Sequence, residues 1–117
     1  VGGKVNPYRK KALELIRVTQ TIEDAVASIE KERNEPVVTI ATSAKEIPGS
    51  ITIEALRQKL DKKASHVIIF GTAWGLADEL IDTCDFILDP IFGYTDYNHL
   101  SVRSAASIYL DRIINGR

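Results

Sequence analysis

Between residues 94 and 103 the chain sets Tyr94, Tyr97, Asn98, His99, Ser101 and Arg103 within ten positions, immediately ahead of a helical pattern. Polar groups at that density are not core filler. Histidine is the side chain whose ordinary pKa lets it exchange a proton near neutrality, and arginine offers a permanent charge with five donors. A loop ending in a serine helix cap accounts for Ser101 but leaves Asn98, His99 and Arg103 without a role. A second place for chemistry is Gly71-Thr72-Ala73-Trp74-Gly75, at the end of an apolar run. Glycine there serves either a backbone at positive φ or a ligand lying close to the main chain. The corner has neither the lysine and spacing of a phosphate-binding P-loop nor the G-x-G-x-x-G fingerprint of dinucleotide sites.

These residues need elements to position them. The stretch NPYRKKAL reads as a short helix, and LELIRV (13 to 18) alternates apolar and polar as a strand does. TIEDAVASIEKER is a helix with Ile22, Ala25, Val26 and Ile29 on one face and Thr21 with Asp24 at its cap. PVVTIAT (36 to 42) is a β-branched strand and TIEALRQKL (52 to 60) a capped helix with Leu56 and Leu60 on one side. HVIIF (66 to 70) is a continuous apolar run, expected to be a strand buried on both faces. GLADELID and CDFILD give a further short helix and strand. A last helix follows Ser101, with the stripe Val102, Ala105, Ala106, Tyr109 and Ile113 and a C-capping Gly116. Strands alternating with helices imply an α/β fold with a mainly parallel sheet flanked by helices. Ligands of such sheets sit beyond the carboxyl ends of the strands, which selects three loops: Thr42 to Ser50, Gly71 to Gly75 and Asp89 to His99.

At 117 residues, 44% apolar and 26% charged, the chain is expected to form one domain spanning 1 to 117. It contains no apolar stretch of membrane-spanning length and no apolar leader, so the expected location is the cytoplasm. The single cysteine, Cys84, excludes an internal disulfide, supplies no metal cluster and is expected in the core. With no methionine and a Val-Gly-Gly start, the chain reads as a piece of a longer protein. The net charge of −1 gives no global argument for nucleic acid, but its distribution is uneven. Lys4, Arg9, Lys10, Lys11 and Arg17 face only Glu14 in the first 17 residues, and Arg57, Lys59, Lys62 and Lys63 cluster around Asp61. Basic ends of this kind either bind phosphate or form an ordinary solvated surface.

Taken together, FGTAWGL, ILDPIFG and DYNHLSVRSAASIYLDR resemble the SPOUT superfamily of trefoil-knotted, S-adenosylmethionine-dependent RNA methyltransferases. The closest likeness is to a bacterial subfamily related to tRNA guanine-N1 methyltransferases. NPYRKKAL and VVTIATSAK extend it over nearly the whole chain. The resemblance implies a C-terminal helix drawn through a loop in a deep trefoil knot, against the general rule that chains are unknotted. It implies a bent S-adenosylmethionine held by Thr42 and Ser43, by Gly71, Thr72 and Gly75, and by Pro90, Ile91, His99, Leu100 and Ser101, largely through backbone groups. Trp74 would be packing or a lid. A homodimer, structured RNA such as tRNA as substrate, and no metal are also implied. Two departures stand out: Ala73 occupies a position that is often glycine, and a longer N-terminal portion with at least one strand is absent.

Methyl transfer is an in-line displacement, so the protein must align nucleophile and methyl group and remove a proton where a ring N–H is attacked. Arg103 would bind an RNA phosphate or steady developing charge, and Asp96 or His99 would accept the proton. Their structural alternatives are an ion-pair partner on a helix surface, a turn residue and a neighbour of the helix cap. A rival from another class is a non-catalytic knotted module that binds the cofactor or RNA without turnover. A doubly wound domain for ATP or NAD is a third reading, weakened by the absence of both glycine fingerprints.

Overall fold

Val37–Ala41 (β1) forms the middle of a three-stranded parallel sheet, with Ser65–Ile69 (β2) on one side and Phe86–Ile87 (β3) on the other. The computed structural model describes residues 7–72, 74–92 and 100–116. Around the sheet lie the helices Pro7–Glu14 (α1), Ile22–Arg33 (α2), Ile53–Lys59 (α3), Asp78–Thr83 (α4) and Val102–Asn115 (α5). The α/β class and the parallel sheet expected from the sequence are present.

Register pairs Ile40 with Ile68 and Phe86, and Ala41 with Ile69 and Ile87, so the three strands end level. Alternation divides their side chains between two faces. Val38, Ile40, Ile68 and Phe86 lie on the face where Leu56 of α3 and Tyr109 and Ile113 of α5 complete the core. The helix α2 lies toward the other face, where Ala25, Ser28 and Ile29 come near Val67. Ile40, Leu56 and Leu88 are fully buried, and each such side chain contributes about 1.5–3 kcal/mol.

The strand β3 has only two residues, and side chains supplement its pairing. Asp85 accepts the Thr39 amide proton at 2.8 Å, while its own amide donates to the Thr39 carbonyl at 3.0 Å. Beyond β3 the chain meets the returning loop at a parallel bridge between Ile51 and Leu88. There Ile51 N–H donates to Ile87 O at 2.8 Å and Asp89 N–H to Ile51 O at 2.9 Å.

The expected caps form. Thr21, Thr52 and Ser101 each accept an amide proton from the first turn of their helix, and Gly116 ends α5 at φ 74°. Asn34 ends α2 in the left-handed region at φ 52°, a conformation asparagine tolerates better than most residues.

Four expectations are corrected. Residues 13 to 18 are not a strand: α1 runs to Glu14, and Leu15 and Ile16 continue it with turns donating to Ala12 and Leu13. No strand pairs there, and Val18 is 94% exposed. The strand β2 is an edge, not a strand buried on both faces; of its residues only Ile69 is buried. The apolar stripe of α5 starts at Ala105, because Val102 is exposed. Cys84 is half-buried rather than in the core, with its thiol donating to Leu80 O at 3.4 Å. Burial pushes that thiol pKa up, the wrong direction for a nucleophile. No helix among the described residues is long and apolar enough to cross a membrane.

Candidate cofactor site

Because the strands are parallel and end level, the segments that begin at residues 42, 70 and 88 all leave the sheet at one edge. Specific bonds tie them together. The Thr42 hydroxyl donates to Ile69 O at 2.7 Å, joining the first segment to the second. Ser50 donates to the Asp89 carboxylate, joining the first to the third. From α5, the Tyr109 hydroxyl donates to Asp89 O at 2.6 Å, and its ring lies 6.2 Å from that of Phe70. Burial and the adjacent Asp89 carboxylate push the Tyr109 pKa up to about 12, so the hydroxyl stays protonated and keeps donating.

The corner at 71 to 75 closes on itself. Gly75 N–H donates to Thr72 O at 2.9 Å, and the two residues form an isolated antiparallel bridge. A Cβ on Gly71 would stand 2.5 Å from the Gly75 carbonyl carbon, so only glycine permits this approach. Gly75 itself sits at φ 80°, and a Cβ built on it would meet nothing within 4 Å. One glycine makes the close approach and the other makes the turn, leaving open space on the outer side. Trp74 is 97% exposed and takes no part in the core of the described residues.

Of the other predicted residues, Thr42, Ser43, Pro90 and Ile91 follow the ends of β1 and β3, and Leu100, Ser101 and Arg103 stand at the start of α5. Thr42 is 7% exposed with its hydroxyl committed to Ile69, so its side chain is a tie between strands. Ser43 is half-buried and accepts the Lys45 amide proton at 3.0 Å. Pro90 is buried and Ile91 packs against the core. Leu100 is exposed, and Ser101 caps α5 by accepting from Ser104 N–H at 3.2 Å. Arg103 is exposed at the second position of the same helix, with no ion pair among the described residues. His99 and Asp96, like Tyr94, Tyr97, Asn98 and Ala73, lie outside the described residues.

The side-chain hydroxyls of the edge are thus mostly spent on internal ties. A ligand beside Gly75 meets main chain, open space and the rim residues. With these hydroxyls committed, the recognition of S-adenosylmethionine that the resemblance implies would fall to backbone groups. Two residues that sequence reasoning missed hold the edge: Asp89, on which three ties converge, and Asp85, which extends β3. A third, Arg57, was read as part of a basic cluster. Its Nε donates to Ile113 O at 3.0 Å and its guanidinium lies against Gly116, so it caps the end of α5. The signal available was a capping glycine preceded by unpartnered terminal carbonyls.

A cavity of about 730 Å³ lies elsewhere, at the opposite end of the sheet, between residues 14 to 19, α2 and the start of β2. Arg17 and Glu32 line it as an exposed ion pair. Hydrogen bonding to Arg17, with its charge, lowers the Glu32 carboxyl pKa. Nothing there matches the predicted site.

The model of a SAM-dependent RNA methyltransferase family matches residues 1–115. The chain belongs to that family. An uncharacterized protein of Aquifex aeolicus (strain VF5) is 38% identical over 115 residues, covering 97% of this chain and 56% of its own length. A tRNA (guanine-N(1)-)-methyltransferase of Oleidesulfovibrio alaskensis is 42% identical over 113 residues, 97% of this chain and 26% of its own. Another enzyme of that name, from Nitratidesulfovibrio vulgaris, is 36% identical over 113 residues with the same coverage. The chain therefore spans about half of the first relative and a quarter of the two methyltransferases.

Proposed function

We propose that this chain is the cofactor-binding part of an RNA methyltransferase that moves the methyl group of S-adenosylmethionine to a base of structured RNA, with tRNA the substrate class. The observation that carries the reading is the family match over residues 1–115. Three bonded turns at the carboxyl edge of a parallel sheet support it, since that edge is where α/β sheets take ligands.

Bound there, S-adenosylmethionine supplies an electrophilic methyl on a positively charged sulfur. The chain's own work is positional. Gly71, Thr72 and Gly75 provide a main-chain wall; Thr42, Ser43, Pro90, Ile91, Leu100 and Ser101 frame the rest, and His99 joins them on the family resemblance alone. Arg103 binds an RNA phosphate or steadies charge near the nucleophile, and Asp96 or His99 takes the proton from the attacked ring nitrogen. Holding two reactants in line contributes about 7–11 kcal/mol in favourable cases, so geometry carries most of the rate. The α5 helix, tied to Asp89 through Tyr109, is the segment that a trefoil knot of the SPOUT type would thread through a loop. A cytoplasmic homodimer supplying RNA contacts from a second copy completes the proposal.

The test is transfer of a labelled methyl group from S-adenosylmethionine to bulk bacterial tRNA, run beside calorimetry with S-adenosylhomocysteine. Label in the RNA with micromolar cofactor binding is expected. Because the matched portion is only 26% of each named methyltransferase, a module that binds without transferring is the second reading. Cofactor or RNA binding with no labelled product selects it. Neither binding nor transfer rejects both.

A further inference from the structure

Trp74 is the chain's one tryptophan and stands 97% exposed. A tryptophan carries on the order of 150–250 Å² of surface whose burial dominates cores and interfaces, so full display is costly without a ligand. The turn that carries it is closed by a hydrogen bond. Trp74 is mounted between Thr72 and Gly75, which are hydrogen-bonded to each other, above a Gly71 that admits no side chain.

The surroundings select the kind of ligand. Asp78 and Glu79 follow in the first turn of α4, both exposed, and their charge disfavours a phosphate or an anionic lipid surface at this corner. An uncharged aromatic face next to carboxylates suits a nucleobase, and every base has a π-face to offer. Lys45, in the loop after β1, and Arg103, in the first turn of α5, are exposed cations available to the phosphates of the strand that carries such a base. Sequence-specific RNA recognition targets unstacked bases in loops and lays them on aromatic side chains.

Resting on the methyltransferase reading above, we infer that Trp74 is the platform on which an unpaired base of the substrate RNA stacks when the RNA enters the site. The lid role implied by the family resemblance is replaced by a substrate-positioning one.

A sole tryptophan makes the test direct. Trp74 emission, excited at about 295 nm, is followed while bulk bacterial tRNA or S-adenosylhomocysteine alone is added, with tRNA affinity measured by anisotropy of a labelled tRNA. Strong quenching by tRNA and little by the cofactor product is expected. Trp74→Ala should weaken tRNA binding by roughly 5- to 150-fold, leave cofactor affinity unchanged and keep its circular dichroism, while Trp74→Phe should keep most of the binding. Quenching by S-adenosylhomocysteine alone would assign the ring to the cofactor and overturn the inference. A blue shift on raising protein concentration alone would assign it to a second copy, with the same consequence. Unchanged tRNA binding and transfer in Trp74→Ala overturns this inference and leaves the methyltransferase reading standing; absent tRNA binding and transfer in the parent chain overturns both.

Discussion

Single atoms decide how the candidate site holds its shape, and the clearest is a hydrogen on Gly71. Replacing it with a methyl places carbon 2.5 Å from the Gly75 carbonyl carbon, a contact with backbone that no rotamer relieves. Gly71→Ala is expected to destabilise the fold by about 1–3 kcal/mol and to weaken cofactor binding in calorimetry. Gly75→Ala has free space but a φ of 80°, so its cost of about 1–2 kcal/mol is conformational. Calorimetry on both variants separates a crowded corner from a strained one. The Tyr109 hydroxyl is the second decisive group, because its removal leaves the Asp89 carbonyl without its donor from α5. Tyr109→Phe should cost about 1–2 kcal/mol in urea unfolding. Its pH dependence has a definite sign. The folded pKa, about 12, lies above the ordinary value near 10, so folding favours the protonated form. That stability is complete below pH about 10 and is lost as pH rises through about 12, and Tyr109→Phe should remove this alkaline component.

Elements whose information is local were legible in the sequence, and elements defined by a distant partner were not. Thr21, Thr52 and Ser101 announced their helices because a cap needs only the amides two or three residues on. Leu13, Leu15 and Val18 read as the alternation of a strand, but alternation does not supply a strand to pair with; Leu13 lies exposed in α1, and Leu15 and Val18 lie exposed after it. HVIIF is apolar enough for a central strand, yet it is an edge, since position in a sheet is a property of topology and not of one segment. In the site, the glycine corner was visible as a sequence, whereas Asp89 as the common tie of residue 50, residue 51 and α5 appears only after folding. Arg57 belongs to the same class of long-range facts. Its bond to Ile113 O links α3 to the end of α5, so Arg57→Ala should lower stability by about 1–2 kcal/mol with fraying at the last turn of α5, read by amide exchange. Arg57→Lys should recover little of this, because a lysine does not reproduce the planar guanidinium that lies against Gly116.

For the whole molecule, the distribution of charge sets the basic helix α1 apart from the packed sheet and its helices. Net charge is −1, so attraction to a polyanion must come from local patches. One of them lies in α1, which has no buried residue and carries Arg9, Lys10 and Lys11. Because α1 contributes nothing to the core, neutralising its lysines has little folding cost, and the consequence falls on binding. Each phosphate contact releases counterions, so a lysine that touches phosphate steepens the fall of affinity with salt by about 0.7–0.9 in a log–log plot. Lys10→Ala with Lys11→Ala is expected to leave thermal stability within about 0.5 kcal/mol of the parent, as substitutions on an open surface usually do. The same variant should reduce the salt slope of tRNA binding by about 1.4–1.8 if both lysines reach phosphate. Titrations of labelled tRNA from low to moderate salt give that slope directly. A slope equal to the parent's would make α1 an ordinary solvated helix and move the electrostatic share of RNA binding to other exposed cations such as Lys45 and Arg103.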